Sequence, residues 1–352
     1  MSWGTGAWLG CPAVQLTSRH GAGLRSRFRY LAAGFVALAA SASSGRVHAA
    51  PSSTSIEQGY ELGEVQHPRS VALAGAQQVW GGSTTAVFVN PANLSLYRVY
   101  HLEGLASFGP EARRQSYGGA VVDSSTSRLA GGFGGTWSQM DPDGIRRQWT
   151  DLRLALAYPL GDRFHLGMTG RYMRVNQGAT RGPFGASLAS DGTSGEPIVN
   201  EFTFDAGAAI AITEQLRFAV SGRNLTAPGT GLMPLGVAGG LGWSNQTVTA
   251  EANTLVDFTT FGAARMRMMA GAEILLADRI PLRAGYRYDA GMKTHAIGAG
   301  AGYVDRRFSI EVGGRRDVVA DHPSTMISVG LRFFLDSGGS SGSGGGGESD
   351  GF

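Results

Sequence analysis

Long segments of alternating apolar and polar residues constrain the fold of this chain more than any other feature. In RFHLGMTGRYM, which begins at Arg163, Leu166 and Met168 fall on one face, whereas His165 and Thr169 fall on the other. Alternation with a period of two residues predicts a β-strand. About fourteen such segments lie between residues 98 and 335, and most are 9–13 residues long. Strands of soluble sandwiches usually have about 5–6 residues, whereas a strand that crosses a bilayer needs about 9–11.

The connections between these segments alternate in length, which supports a membrane barrel. Connections after even-numbered segments are tight, as at residues 159–162 and 213–214, whereas several after odd-numbered segments are longer, as at residues 176–199. Short turns at one end and longer loops at the other are typical of outer-membrane barrels. A secreted sandwich or a soluble barrel would explain the alternation, but neither the strand length nor the loop asymmetry. The sequence therefore predicts an all-β fold, a 14-stranded antiparallel transmembrane β-barrel.

The amino-terminal residues have the order of a secretory signal peptide. Arg25, Arg27 and Arg29 precede the apolar run Tyr30–Ala42, and small residues follow it up to Ala49. This run is too short to cross a bilayer as a helix, which takes about 20 residues. We therefore expect a signal peptide at residues 1–49 and export of the mature chain to the outer membrane of a Gram-negative cell.

Removal of this leader reverses the sign of the net charge. Residues 1–49 hold five of the 30 basic residues and none of the 27 acidic residues, so 25 basic and 27 acidic residues remain. No basic face persists that would suit nucleic acid, and we expect no nucleic-acid partner. The single cysteine, Cys11, lies in the leader, which leaves the mature chain without a disulfide.

A segment rich in small residues precedes the first predicted strand. The sequence GGSTTAVFVNPANLSL, residues 81–96, contains two glycines and an Asn-Pro-Ala step and does not alternate as a strand does. The Asn-Pro-Ala step alone would indicate only an Asx-type turn ahead of a strand. With residues 68–80, however, the segment resembles the amino-terminal hatch of the FadL-like family of outer-membrane transporters, which includes PorV-type barrels. The matching positions are Arg69, Leu73, Ala74, Gly75, Ala76, Gly81, Gly82, Ala86, Asn90, Pro91, Ala92 and Leu94.

The resemblance implies a domain order and a function. We expect a periplasmic or lumenal hatch at residues 50–97, the barrel at residues 98–335 and a flexible Gly/Ser-rich tail at residues 336–352. The implied function is passive, hatch-gated uptake of hydrophobic small molecules such as long-chain fatty acids by a monomeric barrel. Its partners would be the hydrophobic ligand, outer-membrane lipid and, during biogenesis, the barrel-assembly machinery. Two alternatives stay open: a non-conducting PorV-type barrel that binds secreted proteins as a scaffold, and a general porin.

The predicted lumen face carries many arginines together with acidic residues. One interpretation is a ladder of ion pairs between neighbouring strands. The other is that some arginines hold the carboxylate head group of a ligand, for which a guanidinium is well shaped. The first candidates for ligand binding are Arg217, Arg223, Arg283 and Arg287.

The third predicted strand, RLAGGFGGTW, is rich in glycine. Glycine weakens a strand and often marks a bend. In the FadL-like family the third strand is kinked and opens the wall sideways into the bilayer, so the resemblance implies a lateral opening here. The candidate positions are Gly131, Gly132, Gly134 and Gly135. The alternative is that they reflect the general abundance of glycine, which accounts for 55 of 352 residues.

Features of an enzyme are weak in this sequence. The pattern Gly-x-Ser-x-Gly occurs around Ser340 and Ser349, but both copies lie in the tail, without the strand–turn–helix of a nucleophile elbow. The histidines show no metal-ligand spacing. We therefore predict no catalytic, cofactor or metal site.

Overall fold

A computed structural model of the protein describes residues 64–141, 146–178, 199–228, 232–245, 247–261, 263–321 and 323–335. The predicted signal peptide, the start of the predicted hatch domain, the longest loop and the tail lie outside these ranges. A short helix α1, Pro68–Ala72, and two 3₁₀ helices, Ser83–Val87 and Pro91–Ser95, precede the first strand. In the described part of the chain, no helix is long and apolar enough to span a membrane.

Fourteen antiparallel strands form a closed barrel in which every strand pairs with its neighbours in the chain and β1 pairs with β14. The predicted 14-stranded barrel is confirmed. The strands are β1 Tyr100–Gly109, β2 Arg114–Asp123, β3 Ala130–Met140, β4 Arg146–Leu160, β5 Phe164–Gly178, β6 Val199–Ala211, β7 Leu216–Arg223, β8 Gly236–Ser244, β9 Val248–Asp257, β10 Arg265–Leu276, β11 Ile280–Asp289, β12 Thr294–Val304, β13 Phe308–Val319 and β14 Thr325–Phe334.

The alternation in the sequence separates the two faces of the wall. On β4, Leu152, Leu154 and Leu156 are exposed on the outside, whereas Asp151 and Arg153 are buried inside. Closure of the barrel pairs the edges of the sheet, so the backbone polar groups are satisfied without water. An apolar outer face over a polar interior is the arrangement that a lipid environment requires.

The two ends of the barrel differ in their connections. At one end, here called the turn end, residues 161–163, 245–247, 277–279 and 305–307 each join two strands. At the other, here called the loop end, residues 224–235 and 258–264 make longer connections. The short connection 110–113 also lies at the loop end, so the predicted asymmetry holds for most but not all pairs.

Residues 64–97, here called the hatch segment, lie inside the barrel. Helix α1 packs against β11–β14, the first 3₁₀ helix against β1–β4, and the second against β3–β6. The segment starts near the loop end, where Glu64 binds Arg267, and finishes at the turn end before Tyr100 begins β1. It therefore crosses the lumen and contacts most of the wall.

Glycines on the inner face of the wall make room for the hatch segment. A Cβ at Gly298 would lie 2.6 Å from the carbonyl oxygen of Val71 and 2.5 Å from that of Ala72. A side chain cannot be accommodated at such a close approach of two backbones. Other inner-face glycines that abut the hatch segment are Gly167, Gly207, Gly242, Gly271, Gly285, Gly300 and Gly313. Part of the glycine content is thus explained by the close packing of the hatch segment against the wall.

Candidate transport site

Charged wall residues hold the first half of the hatch segment. The Nε of Arg69 lies 3.1 Å from a carboxylate oxygen of Glu273, and its Nη1 donates to the carbonyl oxygen of Trp80 at 2.8 Å. Glu273 also pairs with Arg283, which binds Glu311 at 3.0 Å. Burial alone would lower the pKa of Arg69, but nearby carboxylates outweigh it and hold this pKa above its ordinary value. The guanidinium therefore stays charged in the lumen.

The same charge network returns to the hatch segment through His67. Its Nε2 lies 2.8 Å from Glu103, and Glu103 pairs with Arg332 at 3.1 Å. Arg332 approaches Glu311 at 3.9 Å, which joins this pair to the contacts of Arg69. The network therefore extends across β10, β11, β13, β14 and β1, and helix α1 is attached to it at two positions.

Glu251 binds the backbone of the hatch segment between its two halves. One of its carboxylate oxygens accepts the N–H groups of Val79 at 2.9 Å and Trp80 at 3.3 Å. Glu251 and Glu103 are both buried, and sequence reasoning did not single them out. The alternation of the sequence predicts that both side chains point into the lumen. Their partners could not be predicted, because these depend on where the hatch segment lies.

The predicted hatch positions form a compact turn inside the lumen. Asn90 accepts the N–H of Ala92 at 3.2 Å and donates to the carbonyl oxygen of Gln78 at 3.2 Å. Pro91, Ala92 and Leu94 are buried.

Three predicted glycines shape the chain ahead of this turn. Gly75 has φ +95°, in the region that favours glycine. Gly81 approaches the backbone of Gln77, and Gly82 approaches the ring of Tyr97. The small residues thus allow the segment to fold tightly enough to fit the lumen.

The second half of the hatch segment presents apolar side chains to a wall of small residues. Val87, Phe88 and Leu94 belong to one buried apolar cluster with β1–β4. Wall residues of this cluster, here called the apolar seat, are Leu105, Ala120, Val122, Ala130, Ala155 and Ala157. Charged wall residues reach this half as well, since Arg153 donates to the carbonyl oxygen of Phe88 and Glu103 accepts the hydroxyl of Thr84.

The four glycines of β3 face opposite sides of the wall. The inner Gly132 and Gly134 lie against Val87 and Phe88, whereas the outer Gly131 and Gly135 lie against leucines of β4. Strand β3 pairs with β2 and β4 without a register shift. The wall is therefore closed beside these glycines in this conformation, and the hatch segment fills the space on their inner face.

A cavity of about 90 Å³ separates the hatch segment from the loop end. Of the four arginines predicted to bind a ligand, Arg223 and Arg287 line this cavity. Arg283 belongs to the charge network, and Arg217 stacks on Trp80 with its guanidinium carbon 4.5 Å from the ring centroid. The structure therefore brings two of the four arginines to one cavity and places the other two elsewhere.

Ion pairs occupy the arginines around this cavity. Arg153 and Arg171 both bind Asp151, at 3.0 Å and 2.7 Å, and Arg287 approaches Asp317 at 3.8 Å. These contacts favour the ion-pair interpretation of the lumen charges for these residues. Within the described residues, no group of His, Cys, Asp or Glu is arranged to hold a metal ion.

A second apolar cluster, here called the loop-end cluster, lies on the loop-end side of the cavity. Its buried members are Met140, Trp149, Met173, Val175, Val199 and Met233. Leu232 packs against this cluster and also lines the cavity, so the two are contiguous. Sequence reasoning missed the cluster, although the inward-facing Met140, Trp149 and Met173 on β3, β4 and β5 would have indicated part of it.

Several solved structures share this architecture. The CymD monoaromatic hydrocarbon channel superposes with a TM-score of 0.58 at 12% identity, over 78% of this chain and 98% of that one. The toluene transporter TodX of Pseudomonas putida gives 0.55 at 12% identity, over 77% and 98%. A FadL homologue of Pseudomonas aeruginosa gives 0.52 at 14% identity, over 76% and 98%.

The chain has the FadL-type barrel fold. No protein-family model matches the sequence, and no curated protein matches it. The resemblance first indicated by the hatch motif therefore extends to the fourteen strands of the barrel.

Proposed function

We propose that this FadL-type barrel mediates passive uptake of hydrophobic small molecules across the outer membrane, gated by its hatch segment. The observation that carries the proposal is the apolar seat on β1–β4, which the protein fills with its own Val87, Phe88 and Leu94. Around α1, by contrast, ion pairs of Arg69 and His67 attach the hatch segment to the wall. The similar solved structures include channels for toluene and monoaromatic hydrocarbons, which agrees with an apolar ligand.

Three contiguous regions form the proposed path. Hydrophobic molecules are captured by the loop-end cluster, where flexible and polarizable methionines adapt to ligands of different shape. They pass the cavity beside Leu232 and reach Phe88, which lines the same cavity. They then occupy the apolar seat and leave through the wall beside Gly131–Gly135.

Passage requires the apolar half of the hatch segment to move. The cavity measures about 90 Å³, whereas a cavity that holds benzene measures about 150 Å³. Helix α1 is fixed to the charge network, so the mobile part is the segment that carries Val87, Phe88 and Leu94. Its withdrawal uncovers both the seat and the inner glycines of β3.

The location and partners of the protein follow from the same proposal. The signal peptide exports the chain, and the barrel-assembly machinery inserts it as a monomer into the outer membrane. Outward leucines such as Leu154 and Leu156 contact lipid. The protein acts as a channel rather than as an enzyme.

Uptake in cells tests this function directly. Gram-negative cells that lack their own hydrophobic-compound transporters would be compared with and without this gene, using radiolabelled toluene and a radiolabelled long-chain fatty acid. Heat-dependent gel mobility verifies that the barrel is folded. Uptake of either compound above background supports the proposal. No uptake of either by a folded, surface-exposed barrel contradicts it and favours the scaffold function, and a large open-channel conductance favours a porin.

A further inference from the structure

We infer that Phe88 occupies a binding slot for a single aromatic ring, formed by Arg153 on β4, Gly134 on β3 and Ala120 on β2. The inference deepens the proposed function, on which it rests, because it names the class of ligand that the apolar seat prefers. The phenyl ring of the hatch segment stands in for that ligand while the hatch is seated.

The edge of the Phe88 ring meets the bare backbone of β3. A Cβ at position 134 would lie 2.6 Å from Cζ of Phe88 and 3.1 Å from its Cε1. The same Cβ would lie 3.2 Å from the Cβ of Ala120. A ring fits in this place because the two strands present no larger side chain, and Phe88 is 8% exposed.

Arg153 covers the ring with a guanidinium that the wall holds in place. Its central carbon lies 5.6 Å from the ring centroid of Phe88. Two hydrogen bonds of 3.0 Å to Asp151 fix the group, and Nη1 donates to the carbonyl oxygen of Phe88 at 2.8 Å. Asp151 is itself held by Arg171 at 2.7 Å. Arg153 therefore keeps its position when Phe88 withdraws, because its carboxylate partner belongs to the barrel.

This arrangement distinguishes an aromatic ring from a saturated ring of the same size. A cation within about 6 Å of a ring centroid is attracted to the π face, and a saturated ring has no such face. Departure of Phe88 leaves a space of benzene size beside the existing cavity, so one ring fits without further change. The charged groups that line the cavity interrupt the apolar path that a long acyl chain would need.

Titration of two neutral ring alcohols tests the slot. Benzyl alcohol and cyclohexylmethanol differ in the π system, and their binding to the Phe88→Ala protein in detergent is measured by calorimetry against a detergent blank. We expect benzyl alcohol to bind about fivefold to thirtyfold more tightly than cyclohexylmethanol. Arg153→Gln in the same background removes this preference while both alcohols still bind. Leu94→Ala, which opens space in the same cluster, shows no preference for the aromatic ring.

Equal binding of the two alcohols to Phe88→Ala, no binding of either, or a preference that survives Arg153→Gln would overturn the inference. If Phe88→Ala does not assemble, uptake of toluene and of methylcyclohexane by the wild-type and Arg153→Gln proteins is compared instead, and equal uptake of the two compounds or a preference that survives Arg153→Gln overturns the inference. Uptake by the wild-type protein separates the inference from the proposed function. Toluene uptake without a preference for benzyl alcohol in the titration contradicts the slot alone. A preference for benzyl alcohol without any toluene uptake contradicts the transport function alone.

Discussion

At the residue scale, Asn90 joins two parts of the hatch segment with a single amide group. It caps the second 3₁₀ helix through the N–H of Ala92 and reaches back to the carbonyl oxygen of Gln78. Asn93 donates to the same carbonyl oxygen at 3.1 Å. The Asn-Pro-Ala step therefore forms a turn and also acts as a clamp, because it holds two parts of the hatch segment together.

Substitution of this clamp loosens the hatch segment. We expect Asn90→Ala to destabilise the seated hatch by about 1–2 kcal/mol, because one cap and one buried hydrogen bond are lost. Ion conductance in planar bilayers should rise while heat-dependent mobility of the barrel is unchanged. Asn245→Ala, in a turn that joins β8 and β9, serves as the control and should leave the conductance at the wild-type level.

Arg69 binds two partners with different nitrogens, which a lysine cannot reproduce. We expect Arg69→Lys to lose the bond to the Trp80 carbonyl or the pair with Glu273, at a cost of about 1–3 kcal/mol. Limited proteolysis would then cut the hatch segment faster. Arg98→Lys, at an exposed arginine that binds the carbonyl oxygen of Ser125, provides the matched control. Equal cleavage rates for the two variants would contradict the assigned role of Arg69.

The sequence indicated which hatch residues matter, but few of their partners. Arg69 and Asn90 were recognised from a local motif. Glu273 and Glu251 are far from the hatch segment in the chain and meet it only because the barrel closes around it, whereas Glu103 lies on the strand that follows the hatch segment. For the same reason, the spatial separation of Arg217 and Arg283 from Arg223 and Arg287 could not be read from strand alternation.

At the scale of elements, the inner-face glycines determine how closely helix α1 approaches the wall. A side chain at Gly285 would collide with the backbone of Leu73, whereas Gly104 has no neighbour within 4 Å of a Cβ. We expect Gly285→Ala to displace α1 at a cost of about 1–3 kcal/mol. Conductance of the folded barrel should increase. The control, Gly104→Ala, should behave as wild type. Unchanged conductance of Gly285→Ala would show that the wall beside α1 tolerates a methyl group.

The strands were predictable because burial inside and exposure outside repeat every two residues. The predicted span of β2, residues 113–122, is shifted by one residue from the observed strand. The predicted span of β11, residues 279–289, starts one residue early and ends at the observed position. The glycines of β3 were candidate positions for a lateral opening, and in this conformation the strand is paired on both sides. Pairing with β2 and β4 outweighs the weak strand propensity of glycine, and the hatch segment packs against the inner face.

At the scale of the whole molecule, the outer apolar face requires a bilayer around the strands. Leu154 is 58% exposed on β4, and Leu129 is 51% exposed in the connection 124–129 at the turn end. We expect Leu154→Arg to destabilise the folded barrel in lipid vesicles by about 2–4 kcal/mol, and Leu129→Arg by about 0–1 kcal/mol. Folding is followed by heat-dependent gel mobility at increasing urea. Equal destabilisation by the two substitutions would contradict a bilayer whose midplane lies near the middle of β4.

The central claim is that the apolar half of the hatch segment must leave the apolar seat for uptake to occur. A Cβ at Gly132 would lie 2.7 Å from Cγ2 of Val87, so cysteines at the two positions are close enough for a disulfide to be attempted. The only natural cysteine, Cys11, lies in the predicted leader and would not interfere in the mature chain.

The measurement that tests this claim most directly is toluene uptake by the Val87→Cys/Gly132→Cys protein in its oxidised and reduced forms. Each single-cysteine variant is measured in parallel to account for the effect of the substitutions themselves. The account predicts that oxidation abolishes uptake and that a reducing agent restores it to the level of the single variants. Undiminished uptake by the fully cross-linked protein would contradict the claim that the hatch segment is the gate.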